Sequence, residues 1–249
     1  MNERIKYNDF SAVYDNEING RSFVEYLDYY AASKKRFWNA VQRIDDIELS
    51  PGAQVIDIGG GVLAVLLSRL FGFNAMVGDV NDRAQQDVEA SGLAFTLFDV
   101  FSDATPEVRD LDLVVLTEVI EHIPEPPYVV LQRLAKVLRP GGRIFLTTPN
   151  GHRFRNLVYM ALGREILGIY RYPEPGMALG HQHEYTLKQM LWQAEHAGFE
   201  IEHAATYEDG FKGASASAKI GRLLATPFAM VPHLRNGITM TLRLPGTTS

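Results

Sequence analysis

Cysteine is missing from all 249 residues, which excludes disulfides, thiolate nucleophiles and cysteine-ligated zinc. That fits a reducing compartment, and a cytoplasmic location is the expectation. No uninterrupted apolar stretch is long enough to span a bilayer. The opening MNERIKYNDF carries charges where a secretory leader has an apolar core, so no leader is expected. Acid is missing from the end of the chain: nothing after Asp209 is Asp or Glu. Residues 210–249 hold Lys212, Lys219, Arg222, Arg235 and Arg243, a local +5 in a chain of net −6, so the preceding 209 residues carry −11. The basic segment is expected to pack on this acidic body or to touch an anionic ligand or lipid surface. An acidic body also argues against a nucleic-acid partner.

What is present is ordinary for a globular protein: 46% hydrophobic and 22% charged residues. The length suits one large α/β domain with additions, and a single domain over 1–249 is expected. Residues 23–47 lack Gly and Pro and space their apolar groups for a helix, so 1–50 reads as a helical N-terminal extension. From residue 51 to 150 short apolar runs alternate with helical segments. AQVIDI, NAMVGD, LAFTLFD, LDLVVLT and RIFLTTPN read as strands. VLAVLLSRLF, DRAQQDVEASG and PPYVVLQRLAKVLR read as helices, the last opening on prolines and closing at the PGG that follows. This rhythm predicts a doubly wound, mostly parallel sheet with helices on both faces. Residues 151–185 break it and read as an insertion with a helix, a loop and the turn PEPG. Residues 186–249 resume with a helix from Thr186 to near Gly198, a strand FEIEHAATY, a helix over 213–226 and a strand NGITMTLRL.

In an open parallel sheet, ligands bind beyond the carboxyl ends of the strands. The first strand ends at Asp57 and runs into Gly59, Gly60 and Gly61. The second ends at Asp79, the third at Asp99, the fourth at Glu118 and the fifth at Asn150. Four consecutive strands thus end at or beside an acid. A glycine loop lets backbone approach a ligand closely. An acid about 20 residues later can accept both hydroxyls of a ribose, and an acid beyond the third strand can accept from an amine. The pattern describes a pocket for an adenosine-containing molecule. Gly59-x-Gly61-x-x-Ala64 with Asp79 also satisfies the dinucleotide fingerprint. Asp57 tilts the choice, because a carboxylate there would crowd a pyrophosphate but suit an ammonium or sulfonium.

VIDIGGG, VGDVN, FDV, DLVVLTEVIEHI and LRPGGRIFLTTPN, in that order and spacing, resemble class I S-adenosylmethionine-dependent methyltransferases of the small-molecule, ubiquinone-methyltransferase-like branch. The resemblance covers about residues 50–150. It implies a Rossmann-like seven-stranded sheet with the last strand antiparallel. It implies S-adenosyl-L-methionine as cofactor, S-adenosyl-L-homocysteine as product and a small-molecule acceptor. It places the methionine end at Asp57, Gly59, Gly60 and Gly61, the ribose at Asp79 and Val80, the adenine at Asp99 and Val100, and Glu118 near the methionyl part. One departure stands out: the family loop D-x-G-x-G-x-G has Leu63 at its last position here, which suggests a locally different loop.

A hydroxyl acceptor needs a base. His122 follows the fourth strand, and His181, His183 and Glu184 in GHQHEY could fold over the pocket as a lid; His152 is a weaker candidate. His196 and His203 fall on a later helix and strand and read as structural. Tyr14, Tyr29 and Tyr30 read as helix packing, with pocket closure the alternative. Glu118-x-x-Glu121-His122 with a downstream histidine also resembles the E-x-x-E-H…H site of metal-dependent small-RNA 2′-O-methyltransferases. The expectation is nevertheless no metal, since Glu118 at a cofactor is not free to ligate. An NAD-dependent oxidoreductase and a degenerate, non-catalytic binding module are the readings from other classes.

Overall fold

The computed structural model describes residues 4–21, 27–101, 108–167, 180–208, 228 and 230–246. Two helices come first, α1 (Tyr7–Glu17) and α2 (Leu27–Asp45). The alternating core follows as β1 (Gln54–Ile58), α3 (Val62–Phe71), β2 (Asn74–Asp79), α4 (Gln85–Ala90), β3 (Ala94–Leu97), β4 (Leu111–Thr117), α5 (Pro127–Ala135) and β5 (Leu138–Pro149). Then come α6 (Phe154–Ala161), α7 (Leu187–His196), β6 (Glu200–Tyr207) and β7 (Gly237–Arg243), with 3-10 turns at Ile120–His122 and Pro232–Leu234.

The seven strands form one sheet in the order β3-β2-β1-β4-β5-β7-β6. Strands β1 to β5 are parallel, and β7 runs antiparallel to both β5 and β6. The strand order reverses between β1 and β4, so the chain leaving one turns to α3 on one face and the chain leaving the other to α5 on the opposite face, which leaves a crevice there. The expected fold is therefore present, including the antiparallel last strand.

Each face of the sheet is covered by its own apolar layer. On one face Phe10, Tyr14, Phe37, Val41 and Ile44 from α1 and α2 pack with Leu63, Leu66 and Leu67 of α3 against Val55, Val77 and Phe145. On the other, Val130, Leu131 and Leu134 of α5 and Met190 of α7 cover Ile56, Val114, Leu146 and Met240. Helix α3 is apolar almost all round because it is buried all round: Val62 through Leu67 are each at most 4% exposed. Gly72 ends it in the left-handed conformation at φ +67°. Helix α7 starts as read, at a capping box in which Thr186 and Gln189 bond each other's backbone N–H.

Three boundaries differ from the sequence reading. Helix α5 stops at Ala135, not at the PGG, because Leu138 already pairs with Leu111 on β4 before the ladder resumes at Arg143. Gly141 does take a positive φ, +77°, but inside the bend of β5. Helix α4 is shorter than DRAQQDVEASG. Its first residues are held by side-chain turns instead, with Asp79 accepting from the Asn81 N–H and Asn81 from the Arg83 N–H. Helix α1 lies ahead of the segment whose apolar spacing was read as helical. Tyr14, fully buried, stacks on Tyr30 at 5.0 Å and donates to the Tyr30 carbonyl, so these tyrosines join the two helices.

The PEPG turn, the 213–226 helix and Lys212, Lys219 and Arg222 lie outside the described residues. Of the other bases near the end, Arg243 pairs with Glu200 and Glu202 on β6, and Arg235 donates to the Thr206 carbonyl. Of the five bases in the 210–249 segment, Arg243 is thus seen packed on acidic side chains. No helix of the described residues is long and apolar enough to cross a membrane.

Candidate functional site

The β1 carboxyl end carries the densest set of constraints. Asp57 is 1% exposed. Its Oδ2 accepts from the Gly61 and Ala64 N–H groups at 3.0 and 3.1 Å, satisfying the first turn of α3 from four and seven residues away. Its Oδ1 is buried and has no partner among the described residues. Gly59 bends the chain at φ +75°, and a Cβ there would meet Val119 Cγ2 at 2.8 Å, so glycine is required twice over. Gly61 caps α3 at φ +143°. Gly60 lies against the carboxylate: a Cβ on it would be 3.4 Å from Asp57 Oδ2. Leu63 faces the other way, 1% exposed in the apolar layer, so the departure from the family loop supplies core packing and leaves the glycine bend in place.

Burial pushes the Asp57 carboxyl up from 3.8 to about 6, against the pull of the Ala64, Gly61 and Leu63 N–H groups. The folded protein thus holds this proton more tightly than the unfolded chain. The stability due to this group is fully present below pH 3.8 and is lost as pH rises through about 6. The loss is roughly 3 kcal/mol in total. Asp57→Asn is expected to abolish that slope, raising the melting temperature of the cofactor-free protein at pH 7 while weakening cofactor binding. A melting curve series from pH 4 to 8 with unchanged slope in the variant would count against this assignment.

The neighbouring strand ends hold the other predicted residues. Asp79 closes β2, its Oδ1 accepting from both nitrogens of Asn81, and Val80 beyond it is 58% exposed. Asp99 is exposed and accepts from the Phe101 N–H at 2.8 Å; Val100 is buried, and its carbonyl accepts from Arg133. Glu118 follows β4 with φ +56°, a left-handed backbone unusual for a residue with a side chain. Thr147 on β5 and Tyr207 on β6 donate to its Oε1 at 3.0 and 3.5 Å, and Arg36 on α2 pairs with Oε2 at 3.4 Å. Asn150 is structural: its amide donates to the His233 and Arg235 carbonyls and its oxygen accepts from the His152 N–H.

Arg36, Thr147 and Tyr207 were not singled out by the sequence. Arg36 carried a signal, since it sits on the stripe of α2 that also buries Phe37, Ala40 and Ile44, where a charge needs a partner. Thr147 and Tyr207 looked like ordinary strand residues, and only the sheet order brings them to Glu118.

A second cluster forms where the segment 180–186 returns to the sheet. The Glu121 carbonyl accepts from the Gln182 and His183 N–H groups, and the Gly151 N–H donates to the Tyr185 carbonyl. Gly151 is needed there, because a Cβ would come within 2.5 Å of the Glu184 carbonyl oxygen. This docking sets His181 edge-on against His122, ring centres 4.7 Å apart. Glu121 is fully buried; Thr148 donates to its Oε2 at 3.0 Å, and Oε1 lies 3.9 Å from His122 Nε2 and accepts no hydrogen bond among the described residues. Burial, then the charge of Glu118, pushes its carboxyl well up. One ligand atom each from Glu121, His122 and His181 lie within 4.8 Å of one another.

Behind His181 stands Glu184, its Oε1 3.5 Å from Nδ1. Glu184 is also held by Arg153, Arg155 and Asn156. Burial alone would raise its carboxyl, but His181, Arg153, Asn156 and Arg155 outweigh that and keep it low. The other histidines stay apart. His183 is exposed and contributes its backbone, with its ring stacked near Tyr185. His152 is exposed in the turn after β5. His196 stacks on Trp192, and His203 is a partly buried residue of β6 whose ring burial lowers.

Two sites thus share the carboxyl edge: a glycine-lined crevice headed by Asp57, and a Glu–His–His cluster under the 180–186 segment. Among solved structures, a SAM-dependent methyltransferase from Methanosarcina mazei matches with TM-score 0.55 and 17% identity over 81% of this chain and 97% of that one. A SAM-dependent methyltransferase from Archaeoglobus fulgidus matches with TM-score 0.57 and 15% identity over 86% and 99%. At such identities the likeness is one of fold. The ubiquinone biosynthesis O-methyltransferase of Cupriavidus pinatubonensis is 34% identical over 115 residues, 43% of this chain and 45% of that one. Its counterpart from Xanthomonas campestris is 31% identical over 149 residues, 50% and 60%. The chain therefore spans about half the length of these relatives. The methyltransferase-domain family matches residues 24–204, well over half of the 249, and the chain belongs to that family.

Proposed function

We propose that the protein transfers a methyl group from S-adenosylmethionine to a hydroxyl of a small molecule. One observation carries the cofactor half: Asp57, a buried carboxylate at the head of a glycine bend, with Oδ1 left without a partner. A buried anionic oxygen in that state fits a cationic group, and the ammonium of the methionyl part supplies one. The same residue argues against a dinucleotide. Asp57 Oδ2 already takes the Gly61 and Ala64 N–H groups at the start of α3, the donors on which a pyrophosphate would sit. Asp79 would take the ribose hydroxyls, Asp99 and the Val100 backbone the adenine, and Glu118, braced by three side chains, the wall beside the methionyl part.

When bound, the cofactor supplies an electrophilic methyl group on a sulfonium. The chain's task is to orient the acceptor and take its proton. His181 suits that task. Glu184, its carboxyl held low, lies 3.5 Å from Nδ1 and would hold the ring proton there, leaving Nε2 to take the acceptor's proton. This base–orienter arrangement favours a hydroxyl over an amine acceptor. The names of the similar ubiquinone O-methyltransferases support a phenolic acceptor as one candidate class, and sugars and other hydroxylated metabolites remain in the panel to be screened. The test is such a screen with S-adenosylhomocysteine as readout. Turnover of an amine panel with no hydroxyl acceptor would sink the hydroxyl assignment.

A second reading is favoured by Glu121 Oε1, a buried carboxylate oxygen that accepts no hydrogen bond among the described residues and is grouped with two imidazoles. One carboxylate and two histidines suit a divalent ion, with Mn²⁺ or Zn²⁺ better matched to imidazole than Mg²⁺. Glu118 would not join them, since Arg36, Thr147 and Tyr207 engage it. The metal-free reading expects activity to survive chelation. Loss of activity with EDTA, restored by a divalent ion, would replace it with the second.

A further inference from the structure

A groove of about 370 Å³ runs between α2 and the strands β5, β6 and β7. Its volume falls in the range of small-molecule sites, about 300–1,000 Å³. Its charge is of the wrong sign for the protein as a whole: Arg4, Arg36, Arg43 and Arg235 line it against Asp46 and Glu208, a net +2 in a chain of net −6. Some of that charge is spent locally, with Arg4 and Arg43 near Asp46 and Arg36 on Glu118. With Glu118 counted against Arg36, a net charge of +1 is left in the walled space, which favours anions.

The strand wall of the groove carries an independent signal. Thr239 is 3% exposed, lines the groove, and its Oγ1 has no partner among the described residues. It pairs in register with Thr147 on β5 and Ala205 on β6, so the sheet holds it rigidly. A buried hydroxyl without a partner is costly, and a donor held beside arginines is what an anionic oxygen needs. The groove ends against the side chains that hold Glu118. Arg36, Thr147 and Tyr207, which line it, are the three side chains that grip Glu118. A molecule in the groove would therefore end one side chain away from Glu118, the proposed wall beside the methionyl part.

We propose that this groove binds the anionic end, carboxylate or phosphate, of the methyl acceptor, so that the substrate is an acidic small molecule. The inference rests on the methyltransferase reading above. Protein saturated with S-adenosylhomocysteine is titrated calorimetrically, in phosphate-free buffer, with benzoate, inorganic phosphate and the neutral isostere benzamide. At least one anion is expected to bind with a Kd in about the millimolar range, about tenfold or more tighter than benzamide, and more weakly as salt is added. Tighter benzoate assigns a carboxylate end and tighter phosphate a phosphate end. Thr239→Val and Arg235→Gln are each expected to weaken the anion about tenfold with S-adenosylhomocysteine affinity unchanged. Thr239→Ser, which keeps the hydroxyl, is expected to retain binding. Anions no tighter than benzamide, or undiminished in Thr239→Val, overturn the inference while leaving the methyltransferase reading intact. Absence of S-adenosylhomocysteine binding to the unaltered protein would instead sink that reading.

Discussion

Asp79→Ala is expected to weaken S-adenosylhomocysteine binding about a hundredfold, roughly 3 kcal/mol, because on the proposed assignment it would remove the acceptor of both ribose hydroxyls at once. The residue sits at the end of β2, next to the glycine bend after β1, and β1 and β2 are paired in parallel from Gln54–Asn74 to Ile58–Gly78. Two adjacent strand ends therefore fix the spacing between Asp57 and Asp79. The substitution also removes the turn in which Asp79 Oδ1 accepts from Asn81, which costs about 1 kcal/mol of local order. Asp79→Asn separates the effects, since its amide oxygen can still serve the turn. Calorimetric affinities within twofold of the unaltered protein for both variants would remove Asp79 from the site.

The second large effect is expected at His181. His181→Ala should lower turnover of a hydroxyl acceptor about 10²–10⁴-fold, with cofactor affinity unchanged, because the imidazole lies in the cluster with His122 and Glu121 and not in the glycine crevice. Glu184→Gln should have a smaller effect with a displaced pH–rate profile, since it alters the group that orients Nδ1. Equal losses of cofactor affinity and turnover in His181→Ala would mean that the 180–186 segment supports the crevice instead of the chemistry. The chelation test separates a base from a metal ligand at this position, because both roles lose activity when His181 is removed.

The glycine-lined crevice was legible because its residues obey position rules: an acid at a strand's carboxyl end and glycines where the next helix must start. Those rules depend only on local sequence and on the strands being parallel. The Glu121–His122–His181 cluster was half legible. Its first two members follow β4 directly, but His181 arrives from a segment 59 residues on, through backbone bonds to Glu121 that no periodicity announces. The role of Glu118 was harder still. Its brace comes from α2, β5 and β6, three elements far apart in sequence, brought together by the order β4-β5-β7-β6 and by the packing of α2 on that face of the sheet. The boundary errors have the same origin. The PGG motif is a sound helix stop by local rules, yet pairing of Leu138 with Leu111 draws the chain into the sheet earlier.

The central claim is that the glycine crevice headed by Asp57 takes S-adenosylmethionine and not a dinucleotide. Calorimetric titration of the unaltered protein with S-adenosylhomocysteine and with NADH tests it most directly. Saturable, one-to-one binding of S-adenosylhomocysteine, with no detectable heat from NADH, is the predicted result. Binding of NADH with none of S-adenosylhomocysteine would contradict it.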